Sequence, residues 1–154
     1  MWQTIQHNGL AFMIFGGRMI SSIYKFKAAF FDIDSMGVMW HGHYVKYLEM
    51  ARCSLLDEIK YNYMDMKNDG FALPIIKMDL KYIAPLTFNE DFSVKITLKE
   101  CDTLLKFNYI FMQNENIIAR ATTTQAVVKM DTLETQFAMP QGLIDAINLI
   151  NKGK

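Results

Sequence analysis

Tyr44, Tyr47, Leu48, Ala51, Leu55 and Ile59 recur at three- and four-residue spacing and lay one broad apolar stripe along a helix. From about His43 to about Lys60 this is a helix of roughly five turns, the single long helix expected in the middle of the chain. Beyond Lys60 most of the chain reads as strand. Ile76, Met78, Leu80 and Tyr82 alternate with Lys77, Asp79 and Lys81 ahead of Pro85. Phe92, Val94, Ile96 and Leu98 alternate with polar neighbours, as do Leu105, Phe107, Tyr109 and Phe111. Asn114-Glu115-Asn116 reads as a turn, and Ile117 to Met130 as one long strand rich in Thr and Val. Upstream, Ile20 to Phe31 reads as a strand with Tyr24, Phe26, Ala28 and Phe30 on one face. Pro140 can open a C-terminal helix whose apolar face is Leu143, Ile144, Ile147 and Ile150. The expected class is therefore α+β, an antiparallel sheet whose apolar face buries the stripe of the one long helix.

The chain has 154 residues, 51% hydrophobic and 21% charged, which suits one globular domain and excludes a disordered one. Sixteen basic residues balance sixteen acidic ones, so no global field points to nucleic acid, while a local basic rim for a phosphate-bearing ligand stays compatible with the charge. Cys53 and Cys101 have no zinc or CxxC spacing and read as free thiols in a reducing compartment. Gly9 to Gly17 is apolar but too short for a membrane span, and Arg18 interrupts it. Neither a basic leader nor a small-residue cleavage site surrounds it, so a cytoplasmic location is the expectation. Residues 1–18 read as an appendage to a single domain over 19–154.

Chemistry concentrates in FFDIDSMGVMWHGHY, which packs two acids, two histidines and two glycines between strand and helix. A plain connection needs only about two to six residues, and a loop held by rigid elements is where polar groups are exposed at fixed geometry. Each residue alone has an ordinary alternative role, as a turn former or a helix start; the cluster is what marks a site. If the helix begins near His41 to His43, its first free N–H groups face the loop that holds Asp34 and can polarise a carbonyl oxygen. A carboxylate facing such donors is an acyl-transfer arrangement. An amide would resist it, but a thiolate leaves readily, its conjugate acid having a pKa of about 8.5. Asp34 can attack the carbonyl or activate a water, with His41 orienting the thioester or assisting proton transfer.

DIDSMGVMWHGHYVKYLEMAR resembles the signature of the hotdog-fold thioesterases of the 4-hydroxybenzoyl-CoA thioesterase type, in particular the bacterial acyl-CoA branch. The matching positions are Asp32, Asp34, Gly37, Val38, His41, Tyr44, Glu49, Ala51 and Arg52, and the resemblance extends over about Tyr24 to Met130, including Lys81-Tyr82, Pro85 and Asp91. It implies a hotdog fold, Asp34 as catalytic carboxylate, His41 at the second catalytic position, and Gly37, Val38 and Tyr44 about the substrate. It further implies acyl-CoA or an acyl carrier protein thioester as substrate, no metal or redox cofactor, and a homodimer or homotetramer. Trp40 stands where the family often has Tyr and His43 where it often has Asn, changes that bear on the substrate more than on the reaction. Lys77, Lys81, Lys99 and Lys106 are candidates for the carrier's phosphates.

Three other readings compete. Phe-Asp-Ile-Asp resembles the opening motif of haloacid-dehalogenase-type phosphatases, with Asp32 as nucleophile and Asp34 as acid, but that chemistry needs Mg²⁺ on a parallel βαβ scaffold. His41-x-His43 has the spacing of a shared metal ligand pair, without an evident third ligand. A hotdog domain that only binds an acyl thioester or a partner protein would keep the fold without turnover.

Overall fold

A computed structural model describes residues 20–153 and the backbone of Gln6 and His7. The elements run β1 (Gln6–His7), β2 (Ser21–Lys27), a 3₁₀ turn (Phe30–Asp32), α1 (His43–Ile59), α2 (Tyr63–Asn68), β3 (Phe71–Ala72), β4 (Ile75–Tyr82), β5 (Asp91–Cys101), β6 (Leu105–Gln113), β7 (Asn116–Gln125), β8 (Val127–Lys129), β9 (Thr135–Gln136) and α3 (Gln141–Lys152). The main sheet is antiparallel in the order β1-β2-β5-β6-β7-β4, and β3-β8-β9 form a small second sheet. The expected appendage lies outside the described residues, apart from Gln6 and His7, which pair with Lys25 and Tyr24.

The helix stripe and the strand alternation meet as expected. Tyr44, Tyr47, Leu48, Ala51, Leu55 and Ile59 are buried with Tyr24, Phe26, Phe92, Val94, Ile96, Phe107, Tyr109 and Phe111. Tyr47 packs edge-on against Phe26 and Phe92, with ring centroids 5.0 and 4.9 Å apart, and Tyr44 lies 5.3 Å from Phe111. Each such side chain contributes about 1.5–3 kcal/mol by leaving water. The aromatic face of β6 is thus core within the chain itself. α3 covers another part of the core with Leu143, Ala146 and Ile147.

Several expectations give way to local chemistry. β2 ends at Lys27, because the Ala29 N–H donates to Asp32 Oδ2 (3.0 Å) and the Asp32 N–H to Ala29 O (3.0 Å), closing a turn. Phe30, expected on the inner face, is 79% exposed. The expected strand from Ile117 to Met130 is two strands: Ala126 passes the chain from the main sheet to the small one, its N–H bonded to Pro74 O at 3.2 Å. The helix α2 is an addition to the expected elements, although its signal is present in sequence: Asn62 accepts from the Met64 and Asp65 N–H groups while Asp65 accepts from Asn62 N–H. Arg52, a charged residue on the helix, is 2% exposed; it pairs with Glu49 and donates to the hydroxyls of Tyr63 (2.6 Å) and Tyr109 (3.2 Å). The turn between β6 and β7 has both central residues, Asn114 and Glu115, at positive φ (46° and 69°), the type I′ geometry that suits a two-residue hairpin.

β4 is an edge of the main sheet and, among the described residues, pairs only with β7. Met78 and Tyr82 sit opposite the buried Thr123 and Ala119, so the expected alternation holds, yet they are 40% and 46% exposed. Tyr44 of α1 packs against Tyr82 and covers it only in part.

Candidate active site

Between β2 and α1 the chain makes a small tethered loop. Asp34 N–H donates to Val38 O (2.8 Å) and Gly37 N–H to Asp34 O (3.0 Å), while Met39 N–H reaches Leu86 O (2.7 Å) and Trp40 N–H reaches Asp32 O (2.8 Å). Gly37 has φ +81°, a conformation that costs an ordinary L-residue about 1–2 kcal/mol. Gly37→Ala is expected to lower stability by about 1 kcal/mol, measured as a fall in the urea midpoint at unchanged m-value.

Asp32 anchors the loop from below. Its carboxylate is fully buried and receives Tyr47 Oη (2.5 Å), the Ala29 N–H and Lys46 Nζ, with His43 Nδ1 at 3.3 Å. Burial by itself would raise the Asp32 carboxyl, but the hydrogen bonds from Lys46, Tyr47 and Ala29 outweigh it and hold the group below the usual carboxylate range. This carboxylate is enclosed and occupied, so it has no room to act as a nucleophile. The phosphatase reading fails on it, and on the antiparallel sheet, which offers none of the parallel βαβ units that chemistry is built on.

Asp34 is placed differently. Its Oδ1 accepts the Met36 N–H at 2.8 Å, an Asx turn that fixes the rotamer, while Oδ2 takes no hydrogen bond from the described residues. Asp34 lines a cavity of about 270 Å³ together with Met36, Val38, Met39, His41, Tyr44 and the segment Tyr82–Pro85. The two histidines diverge: His41 lines this cavity, whereas His43 lies against Asp32 and the edge of Trp40 (5.2 Å between centroids). Among the described residues no group of three or more His, Cys, Asp or Glu could hold a metal ion.

α1 begins at His43 with Gly42 as its cap. His43 N–H is tied to Trp40 O at 2.9 Å, whereas the N–H groups of His41 and Gly42 find no acceptor among the described residues. Gly42 is constrained by its neighbour: a Cβ there would meet the Trp40 ring at 2.3 Å. Trp40 therefore folds over the first turn of the helix, and only glycine allows it that close.

Of the residues singled out from sequence, Asp34, Val38, His41 and Tyr44 share the cavity; Gly37 shapes the loop without lining it. The far wall is what sequence reasoning misses. Tyr82 donates its hydroxyl to His41 O (3.0 Å) and packs 5.1 Å from Tyr44. Burial, with Tyr82 nearby, pushes the Tyr44 hydroxyl up, partly offset by a backbone hydrogen bond from Leu86. Tyr82's place in the strand alternation is legible, but nothing local announces that it crosses to the loop. Both cysteines are free, and burial pushes the thiols up to about 11 for Cys53 and about 12 for Cys101, which leaves neither as a thiolate at neutral pH.

The sequence profile of the thioesterase-like superfamily matches residues 29–147. The chain belongs to that superfamily. Its reaction class is accordingly thioester hydrolysis, and its sheet-and-helix architecture is the hotdog fold. A putative esterase of Aquifex aeolicus is 28% identical over 108 residues, 70% of this chain and 84% of the relative. The putative acyl-CoA thioesterase YneP of Bacillus subtilis is 29% identical over 59 residues, 38% of this chain and 43% of that one. In fold, the chain is similar to a DHNA-CoA thioesterase from Staphylococcus aureus, with a TM-score of 0.76 at 23% identity, covering 87% of this chain and 95% of the other. Among the described residues no helix is long and apolar enough to cross a membrane.

Proposed function

We propose that this superfamily member hydrolyses acyl-CoA-type thioesters to the free acid and thiol, as an enzyme of the 4-hydroxybenzoyl-CoA thioesterase type, with residues 19–154 as its catalytic unit. One observation carries the reading: Asp34 has one carboxylate oxygen fixed by Met36 N–H and the other open, in the same cavity as His41 at the start of α1. Two routes fit. In one, Asp34 attacks the thioester carbonyl, a C–O bond forms, the C–S bond breaks, and water then hydrolyses the mixed anhydride. In the other, Asp34 takes a proton from a water that attacks directly, and the departing thiolate is protonated from solvent. In both, the N–H groups at His41 and Gly42 are suited to the carbonyl oxygen as it gains charge, and His41 to orienting the thioester. Val38 and Tyr44 form the wall against which the acyl group packs. The direct test is thiol release from a panel of acyl-CoA thioesters; no release from any of them would overturn the reading.

We also read the active form as a homodimer or dimer of dimers. β4 supports this, since it is an open edge carrying Ile76 (58% exposed), Met78 and Tyr82, and such edges are normally covered by pairing. Light scattering is expected to give twice the chain mass or a multiple of that. Ile76→Lys with Met78→Lys is expected to shift it towards the monomer.

A further inference from the structure

On the face of the sheet turned away from α1, β4, β7 and β6 surround a second cavity of about 320 Å³, lined by Asp79, Lys81, Asn108, Ile110, Arg120 and Thr122, with the strand backbone between them. Lys81 and Arg120 are direct cross-strand partners, and Arg120 pairs in turn with Ile110 and Ile110 with Lys95. Directly opposed residues on antiparallel strands hold their Cβ atoms about 5 Å apart, and like charges there are destabilising.

Elsewhere on this face three lysines have carboxylate partners. Lys27 is 3.5 Å from Asp91, Lys77 is 3.5 Å from Asp79, and Lys106 is 2.5 Å from Glu100. Lys81, Arg120 and Lys95 have no ion-pair partner among the described residues. The one carboxylate in the cavity, Asp79, is held by Lys77 and by Thr122 Oγ1 at 3.4 Å. In a chain whose charges sum to zero, an opposed Lys–Arg pair without a carboxylate partner in a concavity, beside the amide of Asn108, has the charge and the donors to hold an anion.

Position gives the anion a source. Lys81 is the last outward-facing residue of β4, and the next residues, Tyr82 to Pro85, line the Asp34 cavity on the other face. A substrate whose thioester lies at Asp34 and whose carrier passes over the end of β4 brings that carrier to Lys81. We propose that this outer cavity binds the phosphate groups of the thioester's nucleotide carrier, with Lys81 and Arg120 as the charged pair and Lys95 extending the field. The proposal rests on the thioester reading.

The test compares acyl-pantetheine, acyl-4′-phosphopantetheine and acyl-CoA, which carry no, one and several phosphates, on wild type and on Lys81→Gln/Arg120→Gln. The double variant is expected to lose about tenfold or more in kcat/KM for acyl-CoA, through KM. Acyl-pantetheine should stay within about twofold, the usual range of a surface change. A tenfold loss on acyl-CoA with a smaller one on acyl-phosphopantetheine supports a nucleotide carrier. Equal losses on those two assign the site to the single phosphate on the pantetheine and overturn the nucleotide assignment. A loss shared by all three substrates, or by none, overturns the site. Because relieving the opposed charges leaves thermal stability unchanged or raised, a fall in the thermal midpoint counts against it as well. Titration with adenosine 3′,5′-bisphosphate separates the two readings: if wild type hydrolyses no thioester, the functional reading fails, but binding that the double variant loses still supports the site, and no binding to wild type overturns it.

Discussion

Asp34→Ala is expected to abolish thioester hydrolysis while leaving the protein folded. Removal of a positioned general base costs about 10²–10⁴-fold in rate, and removal of a nucleophile more, because its partners then have nothing to act on. The loss should appear in kcat rather than KM, since the cavity walls at Val38, Met39 and Tyr44 remain. Stability should change little, because Asp34 is only partly buried and its side chain's one hydrogen bond, from Met36 N–H, is at the surface. Asp34→Asn distinguishes the routes further. An amide neither attacks nor accepts the proton, yet it keeps the Asx turn, so its rate should match that of alanine while its melting point matches wild type. Rapid-mixing kinetics on wild type would show a burst of thiol only if an anhydride accumulates. Retention of more than about a tenth of wild-type kcat by Asp34→Ala would remove Asp34 from the chemistry.

Asp32→Asn is expected to fail in the opposite way, through the fold. Its carboxylate gathers Lys46, Tyr47 and the Ala29 N–H at a buried point beneath the loop. Breaking a buried charged network typically costs about 3–5 kcal/mol, and the figure here should be nearer about 2–4 kcal/mol, because Lys46 is partly exposed and can turn to water. The pH dependence comes from the depressed carboxyl. A group whose folded pKa lies below its unfolded one contributes stability that is fully present above the unfolded value, about 3.9, and is lost as pH falls through the folded value. Wild type should therefore lose stability steeply below about pH 4, and Asp32→Asn should flatten that limb in urea titrations taken between neutral and acidic pH. The same variant should reduce turnover indirectly, since the strut that holds the loop between Ala29 and Trp40 is weakened. An acid limb of unchanged slope in Asp32→Asn would show that other carboxylates set it.

The two aspartates of Asp-Ile-Asp thus sit in different environments although a single isoleucine separates them. Spacing alone marks both as notable. Resemblance points to Asp34, and the environment of each gives the physical ground: Asp32 is enclosed by donors, whereas Asp34 is held by one oxygen and open at the other.

Periodicity sufficed for the parts of the molecule that depend on a single element. The stripe from Tyr44 to Ile59 and the alternation from Phe92 to Phe111 are local consequences of helix and strand geometry, and burying one against the other left few architectures. The loop's composition likewise located the candidate site, because acids, histidines and glycines gathered between two rigid elements have few other uses. What depended on contacts between distant segments was settled by tertiary structure. Arg52 sits on the helix where a solvent-facing residue could be, and it is buried because Tyr63 and Tyr109 arrive from elsewhere to receive its guanidinium. Ile117 to Met130 carries an unbroken strand pattern, and Ala126 divides it because Pro74 and the small sheet take the chain over. Tyr82 alternates correctly within β4, but its reach to His41 O comes only from the edge of the sheet lying beside the loop. Lys81 and Arg120 are 39 positions apart, and only strand register makes their charges neighbours. Local periodicity determined the elements and the place of the chemistry; long-range pairing decided which groups are buried, which face each other and which are left open to act.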